Sequence, residues 1–393
     1  MNNTVKMEFY DRFRCIADKC SFTCCQNWDI LVDEDTLGKW KSDEKQSEAF
    51  CKNVKSKKRN RKTEYYIKMN PRKGCPFLNE KGLCNIVISN GDEYLSKACR
   101  AFPRQENNFG DLDEYSLSCA CPAVVDIIYN IDGTVKFLHD ADDNLMDNLL
   151  PEYKIREVMM SIMQNCNFSL TDKILLTFHM LLSVKEEPGM AAEIRKKYQS
   201  EEYLSSLTGI WSGIKIDNED SFQETKELFL DIILNYKKEM TFRDYLQGIA
   251  DLAEDEEIDD NLFLTQWNDF KMEFVQYEKL MENCIISKIF ANCVSEDIDE
   301  MLLAFQVVIT EYIMVRYSVF LKSLLEEKYC NESQPQTTKK VRTNNIIPYN
   351  ITRDYIVIYS RIIGYNADGI REFWEDSFEE AVWEFGYMLL LIN

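Results

Sequence analysis

Residues 302–315 read Leu302-Leu303-Ala304-Phe305-Gln306-Val307-Val308-Ile309-Thr310-Glu311-Tyr312-Ile313-Met314-Val315. Leu302, Leu303, Phe305, Val308, Ile309, Tyr312, Ile313 and Val315 fall at spacings that fill one face of a helix and part of its flank. A helix with that much apolar surface belongs at the centre of a helical core, and residues 298–328 are expected to form it. The same period returns through most of the chain beyond residue 140. It predicts helices over 155–166, 171–184, 221–240, 241–253, 262–290, 353–363 and 370–391. Residues 331–345 are polar and basic with one proline and are expected to be an exposed loop. Only 13 Gly and 8 Pro interrupt 393 residues, which favours long helices over a barrel or sandwich with many turns.

The first 140 residues have a different texture, with short mixed segments punctuated by Gly, Pro and Cys. Trp28-Asp29-Ile30-Leu31-Val32 reads as a short strand, after which Asp33 is placed to cap a helix carrying Leu37 and Trp40 on one face. Residues 52–62 are dense in Lys and Arg and read as a solvated loop leading into a strand at Tyr65-Tyr66-Ile67. Nucleic-acid contact is the alternative for that run, but no interleaved aromatic platform accompanies it. Ile131-Asp132-Gly133-Thr134 reads as a hairpin turn. The expected fold class is mainly α, with a small cysteine-rich α+β metal-binding region over 1–140 followed by an acidic helical domain over 141–393.

Hydrophobic residues make up 45% and charged residues 29% of the chain, a balance that sets wholesale disorder aside. The first residues lack a basic region followed by an apolar run, and no uninterrupted apolar stretch approaches about 18 residues. No membrane partner is therefore expected, and the cytoplasm is the expected compartment. The net charge is -21, nearly all of it after residue 140. Such a surface repels nucleic acid, so no nucleic-acid partner is expected; it favours solubility and suits a lysine-bearing partner.

Ten of the 14 cysteines fall at or before residue 121. In a reducing compartment, clustered cysteines point to metal rather than disulfides. They run Cys15-x4-Cys20-x3-Cys24-Cys25, then Cys75-Pro76-Phe77-Leu78, Gly82-Leu83-Cys84, Cys99-Arg100-Ala101-Phe102-Pro103-Arg104 and Cys119-Ala120-Cys121-Pro122. Thiolates three to five positions apart on a loop can converge on one soft metal centre. With only His139 and His179 in the chain, a conventional zinc finger is a poor match. The ferredoxin spacing is missing, and so is the radical S-adenosylmethionine spacing, whose third cysteine position here is Asn27. Thiolate ligation suits zinc and iron–sulfur clusters alike, and spacing does not choose between them. Cys51 has no motif partner, and Cys166, Cys284, Cys293 and Cys330 are expected to be small hydrophobes of the helical part. No Gly-x-Gly occurs anywhere, so a dinucleotide-type methyltransferase fold gains no support.

At these residues the sequence resembles the flagellin lysine-N-methylase family. The likeness is carried by Phe13-Arg14-Cys15, Cys20, Thr23-Cys24-Cys25, Trp28 with Ile30, Cys75-Pro76-Phe77-Leu78, Gly82-Leu83-Cys84, Tyr94-Leu95-Ser96, Cys99 through Arg104 and Ser116-Leu117-Ser118-Cys119. A weaker echo lies at Ser360-Arg361-Ile362-Ile363 with Asn366. The resemblance implies methyl transfer from S-adenosylmethionine to lysine side chains of flagellin, with an iron–sulfur cluster, of 4Fe-4S type, taking part. It carries Cys15, Cys20, Cys24, Cys25, Cys75, Cys84, Cys99, Cys119 and Cys121 over as candidate ligands. The family pattern has one cysteine followed directly by proline after Ser-Leu-Ser, so Cys119 and Cys121 stand as alternatives for one role.

Arg100 and Arg104 are candidates for pairing with cluster charge or a cofactor carboxylate, with ordinary ion pairs to Asp or Glu as the alternative. Trp28 suits either shielding of a cluster or anchoring of a core. No general base stands out; Glu64-Tyr65-Tyr66 and Asp113-Glu114-Tyr115 have suitable chemistry but equally suit surface or core roles. A non-enzymatic zinc- or iron–sulfur-binding protein, for electron transfer or partner docking, is the alternative function.

Overall fold

The computed structural model describes every residue except 1–2, 26–29, 60–61, 71–73, 141–150, 235, 237–241, 256–259, 333–346 and 379. The chain is mainly helical, and the helix Ile298–Glu332 forms its centre. All eight apolar residues used above to predict this helix are buried. Two of its buried polar side chains bond backbone carbonyls: the Thr310 hydroxyl donates to that of Gln306 at 2.8 Å, and Arg316 Nη1 donates to that of Ile392 at 3.1 Å. Around it lie Pro151–Gln164, Leu170–Glu186, Asn218–Ile233, Arg243–Ala253 and Tyr349–Ile362, each near its expected position.

Two predicted helices are broken. The run 262–290 is split into Asp260–Phe274 and Glu278–Asn292 by a 3-10 turn, Val275–Tyr277. There Tyr277 is buried and donates its hydroxyl to the Ile347 carbonyl at 2.6 Å. The run 370–391 is split into Ala367–Ser377 and Phe385–Ile392. Gln306 of the central helix holds the intervening backbone, donating to the Ala381 carbonyl at 3.0 Å and accepting from the Trp383 N–H at 2.8 Å. Helices Ala191–Tyr198 and Glu201–Trp211 were not anticipated. The predicted loop 331–345 lies outside the described residues apart from the end of the central helix, as does the last part of the predicted helix 221–240.

The N-terminal third supplies two sheets. Strands β1 (Asn3–Met7), β4 (Arg104–Asn108), β5 (Leu112–Leu117) and β6 (Phe137–Asp140) form one, in the order β4-β5-β1-β6, with β1 parallel to β5 and antiparallel to β6. Leu112, Glu114 and Ser116 alternate onto the buried face of β5. Because Glu114 is on that face it needs a partner, and Arg156 supplies one, with Nη1 and Nη2 donating to its two carboxylate oxygens at 2.9 and 2.5 Å. The Tyr153 hydroxyl adds a third bond at 2.7 Å. Of residues 113–115, Glu114 therefore ties the sheet to a helix. The segment Ile131–Thr134 is not a hairpin turn. It follows the buried helix Pro122–Tyr129, and the strand after it pairs with β1.

β2 (Val54–Arg59) and β3 (Lys62–Ile67) form the second sheet, so the basic run expected as a loop is largely a strand of a hairpin. Its register sets Lys57 opposite Glu64 and leaves the Lys57 ammonium over the Tyr66 ring, which explains how so many cations sit in one ladder. Of the strand expected at 28–32, Leu31 makes only a single bridge to Tyr66, and Trp28 and Asp29 lie outside the described residues. Asp33 caps the helix Glu34–Ser42 as expected, accepting from the Thr36 N–H at 3.1 Å, and Leu37 and Trp40 are buried.

Buried apolar residues fall into two clusters. The large one joins Val5, Met7 and Leu117 to the helices as far as Ile392. The small one gathers Ile30, Val32, Leu37, Trp40, Phe50, Ile67, Cys75, Phe77 and Ile86 around the stacked rings of Trp40 and Phe50. Among the described residues no helix is long and apolar enough to cross a membrane.

Candidate functional site

A cavity of about 500 Å³ lies at the seam between the two cores, with Trp40 and Phe77 of the small cluster on one wall and Phe13, Phe22 and Cys121 of the large one on another. Eight of the nine candidate cysteines line it: Cys15, Cys20, Cys24, Cys25, Cys75, Cys84, Cys99 and Cys121. Arg100 and Arg104 line it as well, joined by Arg14. Cys15 and Ile88 are exposed at its rim, Ile88 to 60%.

Local chemistry brings five of these cysteines there. Cys20 donates its thiol to the Phe22 carbonyl at 2.9 Å, which folds the first loop back on itself. The Cys75 N–H donates to the Cys25 carbonyl at 2.8 Å, which joins two cysteine segments fifty residues apart in the chain. Asn79 builds the next turn by accepting from the N–H groups of Lys81 and Leu83 at 2.9 and 3.0 Å. Gly82 adopts a φ of 73° inside that turn, a conformation open to glycine, and Cys84 returns beside Leu78. Ser96 caps the helix Lys97–Ala101 by accepting from the Cys99 N–H at 3.3 Å, which sets Cys99 on the cavity wall.

Cys24 sits at the hub of this set. It hydrogen-bonds Cys25 and lies close enough to Cys20, Cys99 and Cys121 for its ionisation to be felt by each. That hydrogen bond and burial push the Cys24 thiol far up from its ordinary value. For Cys25 the bond to Cys24 works downward, but the bond to Cys75 and burial together push it up to about 12. Burial pushes Cys99 up to about 11, against the hydrogen bond from Ser96. Burial likewise pushes Cys121 up to about 12, against the backbone N–H groups of Val124 and Ala123. Without metal these thiols keep their protons at neutral pH, as buried thiols with no cation or metal to charge them do. Among the described residues no three His, Cys, Asp or Glu side chains form a group arranged to hold a single ion.

Cys119 lies apart from the others. It is 2% exposed and its thiol pairs with Cys284, beside the ion pair of Lys288 and Glu311 at 2.5 Å. Ser360 donates to the same Glu311 carboxylate at 2.9 Å, and Ser118 meets the Tyr365 hydroxyl at 2.8 Å. Gly364 is packed so close that a Cβ there would sit 2.9 Å from Glu311 Oε1. Cys284 is thus a small buried residue with a specific partner, Cys293 is buried as expected, and Cys166 is exposed, contrary to expectation. Cys166 follows the end of the helix Pro151–Gln164 rather than facing its core.

Arg100 donates to the Leu95 carbonyl at 3.1 Å, and Arg104 lies over the rings of Phe13 and Tyr10. Neither forms an ion pair among the described residues, and both line the cavity. Glu64 and Tyr66 bond each other in the hairpin, and neither they nor Glu114 line the cavity. Sequence reasoning passed over two features of the site: Asp92, which is the carboxylate among the described lining residues, and Arg361, which is buried beneath it. The only signal for Arg361 was its place in the short motif near residue 360.

Residues 156–391 match a family model described as the FliB lysine N-methylase C-terminal domain. The chain is 33% identical over 125 residues to a flagellar biosynthetic protein FliU of Salmonella muenchen, a match covering 31% of this chain and 74% of that protein. It is 32% identical over 125 residues to a lysine-N-methylase of Salmonella typhimurium and 31% identical to one of Salmonella choleraesuis. These matches cover 31% of the length of each methylase. No solved structure matches. The family model covers more than half of the chain, and the chain therefore belongs to the flagellin lysine-N-methylase family.

Proposed function

We propose that the protein is a protein-lysine N-methyltransferase that modifies flagellin, using S-adenosylmethionine and an iron–sulfur cluster of 4Fe-4S type held in the thiol cavity. The observation that carries this reading is the convergence of eight cysteines, drawn from five separate stretches of the chain, on one cavity. Its volume of about 500 Å³ is far more than a single ion needs and lies within the range of small-molecule sites. The family membership and the names of the two Salmonella methylases support the reaction class.

The donors fit a cluster: Cys20, Cys24, Cys25, Cys75, Cys99 and Cys121 are the inner thiols from which its ligands would be drawn. Such a cluster, when bound, would supply a Lewis-acidic site for the polar end of the cofactor. Arg100 and Arg104 add donors for the cofactor carboxylate. In the reaction the lysine nitrogen lone pair attacks the sulfonium methyl carbon, the carbon–sulfur bond breaks and its electron pair stays on sulfur. The amine must be neutral for this. Phe13, Phe77, Leu78 and Phe102 make the lining largely apolar, which favours the neutral amine, and the exposed Asp92 carboxylate of the lining attracts the incoming lysine.

Incubation of the anaerobically purified protein with flagellin and methyl-labelled S-adenosylmethionine tests the reading. Label on lysine is expected, whereas an intact cluster with no label would favour the non-enzymatic metal-binding alternative. The two candidate cysteines of the last motif should separate clearly. Cys121→Ser is expected to lower iron content by roughly tenfold or more, while Cys119→Ser, whose side chain faces Cys284, leaves it near the unsubstituted level. Iron and sulfide analysis of both variants checks this.

A further inference from the structure

Arg361 lies on the helix Tyr349–Ile362, more than 200 residues beyond the last cysteine of the cavity, and is only 8% exposed. Its guanidinium makes three bonds to backbone on two cysteine segments. Nε donates to the Ala120 carbonyl at 3.0 Å, Nη1 to the Thr23 carbonyl at 3.0 Å and Nη2 to the Phe22 carbonyl at 3.2 Å. It also stacks over the Phe22 ring. The fork therefore spans the loop carrying Cys20, Cys24 and Cys25 and the turn carrying Cys121. No other side chain type offers planar donors able to hold both at once.

The charge of Arg361 is equally specific. A buried cation requires an anionic partner, yet among the described residues Arg361 forms no ion pair with Asp or Glu. Its guanidinium is held instead by the backbone carbonyls that flank Cys24 and Cys121, those of Phe22, Thr23 and Ala120. A cation that lacks a carboxylate but is bonded to the segments carrying Cys20, Cys24 and Cys121 is matched to a site whose sulfurs become anionic when metal binds.

We infer that Arg361 is the positioning residue of the thiol cavity, pinning the Phe22–Thr23 and Ala120 backbone so that Cys20, Cys24 and Cys121 converge, and supplying the counter-charge of the thiolate-bound centre. This rests on the reading that the cavity holds a cluster.

The test compares full-length unsubstituted protein with Arg361→Gln and Arg361→Lys, each reconstituted anaerobically with ferrous iron and sulfide. Three quantities are read: iron and sulfide per chain, the visible spectrum, and the midpoint potential of bound cluster. Arg361→Gln is expected to lose at least tenfold in cluster retention under chelator challenge. Whatever cluster it keeps should have a lower midpoint potential, because a cation that favours the reduced state is gone. Arg361→Lys keeps the charge but not the fork, so its potential should stay near that of the unsubstituted protein while retention remains impaired. A merely structural arginine would not divide the two variants in this way. Retention, spectrum and potential unchanged in both variants would overturn the inference. If Arg361→Gln does not fold, Arg361→Lys decides alone, since unimpaired retention in it also overturns the inference. An unsubstituted protein that takes up no iron and sulfide would instead sink the cluster reading itself, and so the two failures are told apart.

Discussion

Cys24→Ser is expected to leave the protein almost free of iron, with at least a roughly 100-fold loss of cluster retention against chelator, while Cys51→Ser leaves retention unchanged. Cys24 is bonded to Cys25 and lies within electrostatic reach of Cys20, Cys99 and Cys121, so it is the thiol that the other segments share. Serine preserves the size but offers a hydroxyl that stays protonated and binds iron weakly. Cys51 is exposed and does not line the cavity, which makes it the matched control. The measurement is the visible spectrum before and after dithionite, with iron, sulfide and zinc determined on the same anaerobic sample. A brown Cys24→Ser protein with full iron would remove Cys24 from the ligand set. Colourless unsubstituted protein with stoichiometric zinc would make the module structural and take away the main physical support for the proposed chemistry.

The second large effect concerns stability. Glu114→Gln should cost about 3–5 kcal/mol, because it leaves the Arg156 guanidinium buried without its counter-charge. Both residues are only 1% exposed, and the arginine lies over the rings of Tyr153 and Phe290. Replacing both partners together, as Glu114→Leu with Arg156→Met, should cost much less, since no unpaired charge remains. Denaturant unfolding of the three proteins checks the order. Equal losses in the single and double variants would show that shape rather than charge governs this contact. The pair lies outside the thiol cavity, so iron content of the folded protein should be unaffected.

The sequence alone carried the helical class, because a helix buries a face repeated every few residues and that period is written locally. Leu302 through Val315 and the Asp33 cap with Leu37 and Trp40 were legible for this reason. The cysteine inventory was equally plain, as was its division into short motifs. What no local pattern could express was direction and distance. Cys119 and Cys121 are separated by one residue, yet one thiol meets Cys284 and the other faces the cavity, because the helices packed on either side of that turn decide which way each points. The basic run became a strand because a register opposite β3 gives its cations an acidic and an aromatic neighbour. The helix expected over 370–391 broke where Gln306, 75 residues away, takes its backbone hydrogen bonds. Arg361 reaches Ala120 across 241 residues of chain, and only the folding of the helices around the central one brings a guanidinium beneath the thiols. Periodicity and composition thus specified the elements and the chemistry available, and long-range packing decided which side chains share a site.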